Sequence, residues 1–358
     1  MSLHVTVAGW LLGPPSGANR RLLALLAHLG AQLATGERIT VLHRRDFVPE
    51  PLPGIDWAPI AIPAAPTWRR VRAERRLLAP AVHALGATLH DHGFLPLPHL
   101  PIPSCLLVHD VRTQDGIGRW PRWLARAVLR RSCERAAAIV VPSEWTAARV
   151  RTFAPNAPTP TVIVNGVAIA NTPATPLPKH LPRPERGYVL HVGHIEARKN
   201  LTVVVHALAR LAATQRPELW LAGHDAGALG ALTTLAAHHD VPLRALGVVD
   251  ETTLASLYTN ARHVVVPSHH EGFGLPALEA LAHGRTVLVS DAGALPEVTG
   301  PLAQPLAPDD IEAWRRALTA APLPVDEATR TAWLQRFRWE SSALQLLALW
   351  RRLHRAAP

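Results

Sequence analysis

Two Rossmann-like α/β domains, each a parallel sheet covered by helices, are predicted by three observations. Short apolar, β-branched runs alternate with helical segments along the whole chain, a proline-rich stretch divides that alternation in two, and 358 residues exceed what one core usually supports. Strands are expected near residues 3–8, 38–43, 87–90, 104–109, 137–141 and 161–164, then 187–193, 218–222, 243–247, 263–267 and 286–290. Residues 171–184 hold five prolines in fourteen positions with little apolar periodicity, so 173–184 is the expected linker between a domain over 1–172 and a domain over 185–338.

In chain order, Val5 to Gly9 forms a first strand, and Pro14-Pro15-Ser16-Gly17-Ala18-Asn19-Arg20 leads into a helical run over 21–33. Cys105 to Asp110 ends a strand on His109, a position where a histidine ordinarily serves as a structural hydrogen-bonder. Ser143 suits a helix N-cap and Asn165-Gly166 a turn. Farther on, Leu221-Ala222-Gly223 closes a strand, Asp250 caps a helix, and Ser290 to Val298 is a turn in which Glu297 is structural.

The most informative segment is His269-His270-Glu271-Gly272-Phe273-Gly274-Leu275-Pro276-Ala277-Leu278-Glu279-Ala280. It follows the apolar run His263 to Pro267, which reads as a buried parallel strand, and opens a helix over 276–283 with Pro276 in its first turn. Its glycines let backbone amides approach a ligand, and free amides at a helix start favour an anion such as phosphate. Carboxylates at Glu271 and Glu279 can accept hydrogen bonds from sugar or ribose hydroxyls. A single Glu early in a helix usually does no more than compensate the dipole; the combined spacing carries the information. Arg198-Lys199 poses a related problem, because cations at a helix start oppose the dipole unless an anion lies against them.

Composition narrows the classes. Two cysteines, Cys105 and Cys133, without a CxxC pair argue against a disulfide or zinc scaffold. The 20 histidines are scattered, and the pairs His238-His239 and His269-His270 share no helix face, so neither a metal site nor a cofactor is expected. The start of the chain reads as a strand without a signal-peptide preface, and no apolar stretch approaches membrane-spanning length, so a cytoplasmic location is expected. The net charge of +10 is uneven: residues 1–180 carry 20 Lys and Arg against 10 Asp and Glu, leaving 17 of each in the remainder. Much of the excess lies in the helical stretches Trp68 to Arg76 and Arg119 to Arg131. Arginine with tryptophan on a helix suits an anionic membrane interface, such as the inner face of the plasma membrane, although solvated arginines from a biased composition explain the charge equally well. A basic nucleic-acid-binding protein would account for the charge, but no RNA- or DNA-binding motif accompanies it, so nucleic acid is not an expected partner.

In the form EGFGLPALEA, Glu271 and Glu279 reproduce a Glu-x7-Glu signature, and here the chain resembles the retaining glycosyltransferases of family 4, also described as glycosyl transferases group 1. The resemblance implies a GT-B architecture, two Rossmann-like domains whose parallel sheets face a central cleft, with the tail 339–358 crossing back onto the first domain. His191 to Leu201 is similar to the family's donor-diphosphate segment, which implies roles for Gly193, His194, Arg198 and Lys199; the family often has Arg where His194 stands. Leu246 to Tyr258 resembles the segment that contacts the base, through Val248. Gly17 is what is left of the family's paired glycines in a loop near the donor phosphate, and His109 matches a residue at the donor sugar or acceptor. The resemblance further implies that Glu279 binds the ribose and Glu271 the donor-sugar hydroxyls. Arg198, Lys199 and the amides of Gly272, Phe273, Gly274 and Leu275 would stabilise the departing diphosphate. The activity so implied is metal-independent, retaining transfer of a hexose, mannose or glucose, from a nucleotide-diphosphate sugar to a saccharide or lipid-linked acceptor hydroxyl, in lipid-linked or cell-surface polysaccharide synthesis. A GT-B nucleotide-sugar hydrolase or epimerase is the alternative within the fold.

Overall fold

The apolar runs become parallel strands. In the computed structural model, which describes residues 2–13, 16–111, 122–168, 176–321 and 326–356, the chain divides into one unit of Met1–Gly166 with Arg338–Pro358 and another of Val167–Phe337.

The first unit contains β1 (His4–Ala8), α1 (Gly17–Leu29), β2 (Arg38–Arg44), β3 (Ile55–Ile60), α2 (Thr67–Ala84), β4 (Leu89–His92), β5 (Ser104–Leu107), α3 (Arg122–Arg135), β6 (Ala138–Val141), α4 (Glu144–Phe153) and β7 (Thr161–Val162). Its strands form one seven-stranded parallel sheet in the order β3-β2-β1-β4-β5-β6-β7. Val5, Ile39, Val41, Leu89 and Ile139 are fully buried, as strands covered on both faces require. Helix α4 starts where expected, with Ser143 Oγ accepting from the Thr146 amide at 3.1 Å.

Some strands differ from expectation for physical reasons. The sequence reading omits β3, because Asp56 and Pro59 interrupt its apolar pattern; as the sheet's edge strand it tolerates both. The strand expected at 87–90 is β4, two residues later, since three of its four residues are His or Asp and mask its end. The strand expected at 104–109 closes at Leu107, so His109 lies on the loop beyond it. Helix α1 begins four residues before the expected 21, at Gly17.

The second unit holds β8 (Tyr188–Val192), α5 (Leu201–Ala209), β9 (Glu218–Ala222), α6 (Leu229–His238), β10 (Leu243–Gly247), α7 (Glu251–Asn260), β11 (His263–Val266), α8 (Leu275–Ala282), β12 (Val287–Ser290), α9 (Leu295–Thr299), β13 (Pro305–Leu306), α10 (Ile311–Thr319) and α11 (Glu327–Leu334). Its sheet is six-stranded and parallel, ordered β10-β9-β8-β11-β12-β13. The two-residue edge strand β13 is too short to leave a periodic signal. The core runs through Val189, Leu219, Leu221 and Val265 to Val204 and Leu208 of α5 and Trp314 of α10.

The second unit begins at Val167, whose amide donates to Phe337 O at 2.9 Å. Of the proline-rich stretch, 169–175 fall outside the described residues. Residues 176–184 belong to the second unit, with Leu177 buried and Pro176 O accepting from Ser256 Oγ of α7 at 2.9 Å.

The last helix, α12 (Trp339–Ala356), belongs to the first unit. Ala343, Leu346, Leu347 and Trp350 recur at helical spacing and join Leu25, Leu26 and Leu29 of α1 in one core, each large side chain contributing about 1.5–3 kcal/mol by burial. Ser342 Oγ donates to Val164 O at 2.8 Å, and Arg351 grips both oxygens of Glu37 at 2.8 and 2.6 Å.

Candidate functional site

In the second sheet, β9 and β10 lie on one side of β8 while β11 and β12 lie on the other, so the winding reverses between β8 and β11. In open parallel sheets ligands bind at such a reversal, beyond the carboxyl ends of the strands. The loop leaving β8 carries Arg198 and Lys199, and the loop leaving β11 carries Glu271.

These charges meet. Lys199 Nζ donates to Glu271 Oε1 at 2.5 Å, Ser268 Oγ donates to the same oxygen at 2.9 Å, and Arg198 Nη1 stands 3.5 Å from Oε2. Arg198 also donates to His270 O, and at 2.5 Å to Glu196 Oε1. The loops are stitched further by His269 N to Arg198 O at 3.0 Å and Ala294 N to Glu271 O at 2.9 Å. Burial alone would raise the Glu271 carboxyl, but Lys199 and then Arg198 hold it down at about 2, so it is an anion at neutral pH. The dipole conflict at Arg198-Lys199 is resolved in this way: both sit in a 3₁₀ turn ahead of α5, against the carboxylate of Glu271.

Gly193 adopts a φ of 129°, which L side chains rarely take, and the point its Cβ would occupy lies 4.0 Å from both Lys199 Nζ and His191 Nε2. A ligand can therefore come against the backbone there, beside a cation. Across the crevice Gly274, at φ 92°, is the N-cap of α8; it offers no side-chain cap, and Pro276 contributes no N–H. The side chains of Phe273 and Leu275 are buried, Phe273 with its ring 6.0 Å from that of Phe337, so these two positions present only backbone to a ligand. Glu279, one turn into α8, is half-buried, and its Oε2 accepts from Tyr258 Oη at 2.7 Å. The Tyr258 ring is buried and stacks on His283 at 5.3 Å.

The structure thus gathers Gly193, Arg198, Lys199 and Glu271 into one cluster and holds Glu279 through Tyr258. His194 is exposed, its ring 6.0 Å from that of His224, and Val248 is exposed beyond β10. Asp250 caps α7, accepting from Thr253 N at 2.7 Å. Ser268 is absent from the sequence reading of the site, and His191 and Tyr258 enter it only as the ends of the donor-diphosphate and base segments, without roles of their own. Ser268 and His191 could have been found from their places at or just past a strand's carboxyl end; Tyr258 leaves no comparable signal.

In the first unit the winding reverses between β1 and β4. A cavity of about 40 Å³ opens there, lined by Ala8, Arg21, Asp91, Gly93, His109 and Trp350 among others. Arg21 is 1% exposed and donates to Asn165 Oδ1; burial lowers its guanidinium to about 10. Burial pushes the Asp91 carboxyl up to about 6, although Trp350 Nε1 donates to Oδ2 at 3.0 Å. Gly17 opens α1 behind Ser16, whose Oγ accepts from Asn19 N at 3.1 Å; Pro14 and Pro15 lie outside the described residues. The basic stretches are α2 and α3, with Arg119 and Trp120 outside the described residues. Arg72, Arg75, Arg76, Arg131 and Arg135 line a groove there with Trp68, itself 60% exposed. Across the two units the charge divides as 23 Lys and Arg against 11 Asp and Glu in the first, and 14 against 16 in the second. Among the described residues no helix is long and apolar enough to cross a membrane.

Residues 186–321 match the sequence profile of the family described as glycosyl transferases group 1. The chain is 32% identical over 179 residues to the O-antigen chain mannosyltransferase B of Escherichia coli, covering 45% of each chain. It is 34% identical over 164 residues to an MMP alpha-(1->4)-mannosyltransferase of Mycolicibacterium hassiacum, covering 42% of this chain and 39% of the relative. The matches therefore span less than half the length of these relatives. Over 99% of its length the chain has the fold of a sucrose-phosphate synthase from Thermosynechococcus elongatus, at 19% identity, 100% coverage of that structure and a TM-score of 0.79.

Proposed function

We propose, for a chain whose residues 186–321 belong to the glycosyl transferases group 1 family, that the protein is a glycosyltransferase moving a hexosyl group from a nucleotide-diphosphate sugar to an acceptor hydroxyl. The observation that carries this reading is the Lys199–Glu271 pair beside Gly193, at the winding reversal of the second sheet and inside the matched segment. A diphosphate arriving at Gly193 adds an anion beside Lys199 and competes with Glu271 for it. Glu271, ionised at neutral pH, then gains acceptor capacity for donor-sugar hydroxyls. As the bond to the sugar breaks, charge grows on the diphosphate oxygen; Lys199, Arg198 and the uncapped start of α8 are fixed where they stabilise it.

Glu279, oriented by Tyr258, takes the ribose in this reading, Val248 lies along the base, and His109 touches the donor sugar or acceptor, as the family resemblance implies. The transferred sugar is mannose or glucose, with retention and without a metal, and the acceptor is a saccharide or a lipid-linked saccharide. The arginine groove between α2 and α3 would set the enzyme on an anionic membrane surface at the cytoplasmic side.

Thermal stabilisation by UDP, GDP and ADP, measured with a chelator present, tests the donor site and identifies the base. Stabilisation by one of them is expected, and Lys199→Ala should lose most of it while keeping the weak affinity for the nucleoside. No stabilisation by any diphosphate would sink the reading. Equal loss for diphosphate and nucleoside would confine Lys199 to supporting the loop.

A further inference from the structure

We propose that His191 is a second contact for the donor diphosphate and takes up a proton when the diphosphate binds, an inference that rests on the donor-site reading above. His191 lies on β8, two residues before Gly193, and is 1% exposed. Its Nδ1 is 3.3 Å from Val265 O, an oxygen that can only accept, so Nδ1 carries the hydrogen. Nε2 of the neutral ring is then a bare lone pair. It is buried without a hydrogen-bond partner, and it stands 4.0 Å from the point a Gly193 Cβ would fill, as does Lys199 Nζ.

A buried, unsatisfied nitrogen aimed at a glycine cradle is costly to maintain for packing alone. Facing an anion, a lone pair repels, whereas an Nε2–H⁺ donates a charge-assisted bond. The charged groups acting on the ring are Lys199 from the 3₁₀ turn and Glu271 from the loop after β11. Burial and then Lys199 hold the free imidazole neutral, with its titration near 4, while the backbone of Val265, the Glu271 carboxylate and the backbone of His194 oppose them. A diphosphate beside Nε2 offsets the Lys199 charge and adds negative charge of its own, both of which favour the imidazolium. The proton comes from solvent, and binding becomes tighter as pH falls toward about 6.

The test titrates UDP-glucose and GDP-mannose into the full-length protein, without acceptor, by calorimetry at about pH 6 in buffers of different ionisation enthalpy. The diphosphate diester of these probes has no proton that titrates in this range. Expected is net proton uptake and affinity that weakens several-fold from about pH 6 to 8. His191→Gln should abolish the uptake, flatten the pH profile and weaken binding about tenfold, with nucleoside affinity unchanged. The wild-type titration needs no substitution, so absence of uptake there overturns the proposal even if the variant does not fold. Binding without uptake, or uptake equal in wild type and variant, overturns the role of His191 and leaves the donor site standing. If neither sugar nucleotide binds, the donor-site reading falls and takes this proposal with it.

Discussion

Lys199 Nζ and Glu271 Oε1, 2.5 Å apart, join the loop that leaves β8 to the loop that leaves β11. With Arg198 3.5 Å from the second oxygen, Glu271 is a buried carboxylate between two cations, and removing Lys199 or Glu271 takes from the other its nearest opposite charge.

The pair makes the second unit acid-sensitive. Glu271 is held at about 2 against an ordinary 4.5, so its contribution to stability is fully present above about 4.5 and is lost as pH falls toward 2. At 1.36 kcal/mol per unit this is on the order of 3 kcal/mol. Glu271→Gln should lower the melting temperature at neutral pH and remove this part of the acid limb in scanning calorimetry. An unchanged acid limb would show that the charges are not coupled in this way.

Asp91 has the opposite sign. Its carboxyl is raised from 3.8 to about 6, so the native state binds the proton more tightly than the unfolded chain, and stability declines as pH rises from about 4 through 6. Asp91→Asn mimics the protonated form and should remove that decline, so that the variant's melting temperature relative to wild type improves between pH 4 and 7. A constant difference across this interval would mean that Asp91 does not titrate there.

Glu279 is expected to accept from ribose hydroxyls, with Tyr258 fixing its carboxylate from 2.7 Å. Glu279→Gln should weaken nucleoside diphosphate binding by roughly 1.5–3 kcal/mol without unfolding the protein. Tyr258→Phe removes the positioning bond to Glu279, so a loss of about 1 kcal/mol is expected, in nucleoside as well as in nucleoside diphosphate affinity. Calorimetric affinities equal to wild type in both variants would remove Glu279 from the ribose site.

The arginine groove predicts salt-sensitive membrane association. The protein should co-sediment with anionic vesicles and not with neutral ones, and salt should release it. At about 1 kcal/mol per arginine near such a surface, reversing Arg72, Arg75 and Arg76 to Glu should abolish the association. Nucleotide binding should survive, because those residues belong to the first unit. Salt-insensitive partitioning, or none, would leave the groove to a soluble anionic acceptor or to no ligand.

The fold was legible because buried parallel strands must be apolar on both faces, and runs such as His263 to Val266 and Val287 to Ser290 show this without help from context. The loop at Glu271 was legible because its glycines, proline and two carboxylates are local features at fixed spacing. Edge strands were not, since β3 and β13 bury too little to need a continuous apolar run. Nor could spacing reveal that Glu271 would answer the Arg198-Lys199 pair 72 residues away, since the two loops meet only where the sheet reverses its winding. Arg21, Asp91 and Trp350 come together for the same reason, with α12 returning to the first unit from the far end of the chain. The sequence by itself determined which buried segments become strands and helices and where the glycines, proline and carboxylates of the Glu271 loop fall, because those depend on local periodicity and turn residues. Which charges neutralise one another, which histidines are left with a bare nitrogen, and which carboxyls are raised rather than lowered were decided by tertiary structure, because burial and through-space charge exist only after the chain has closed.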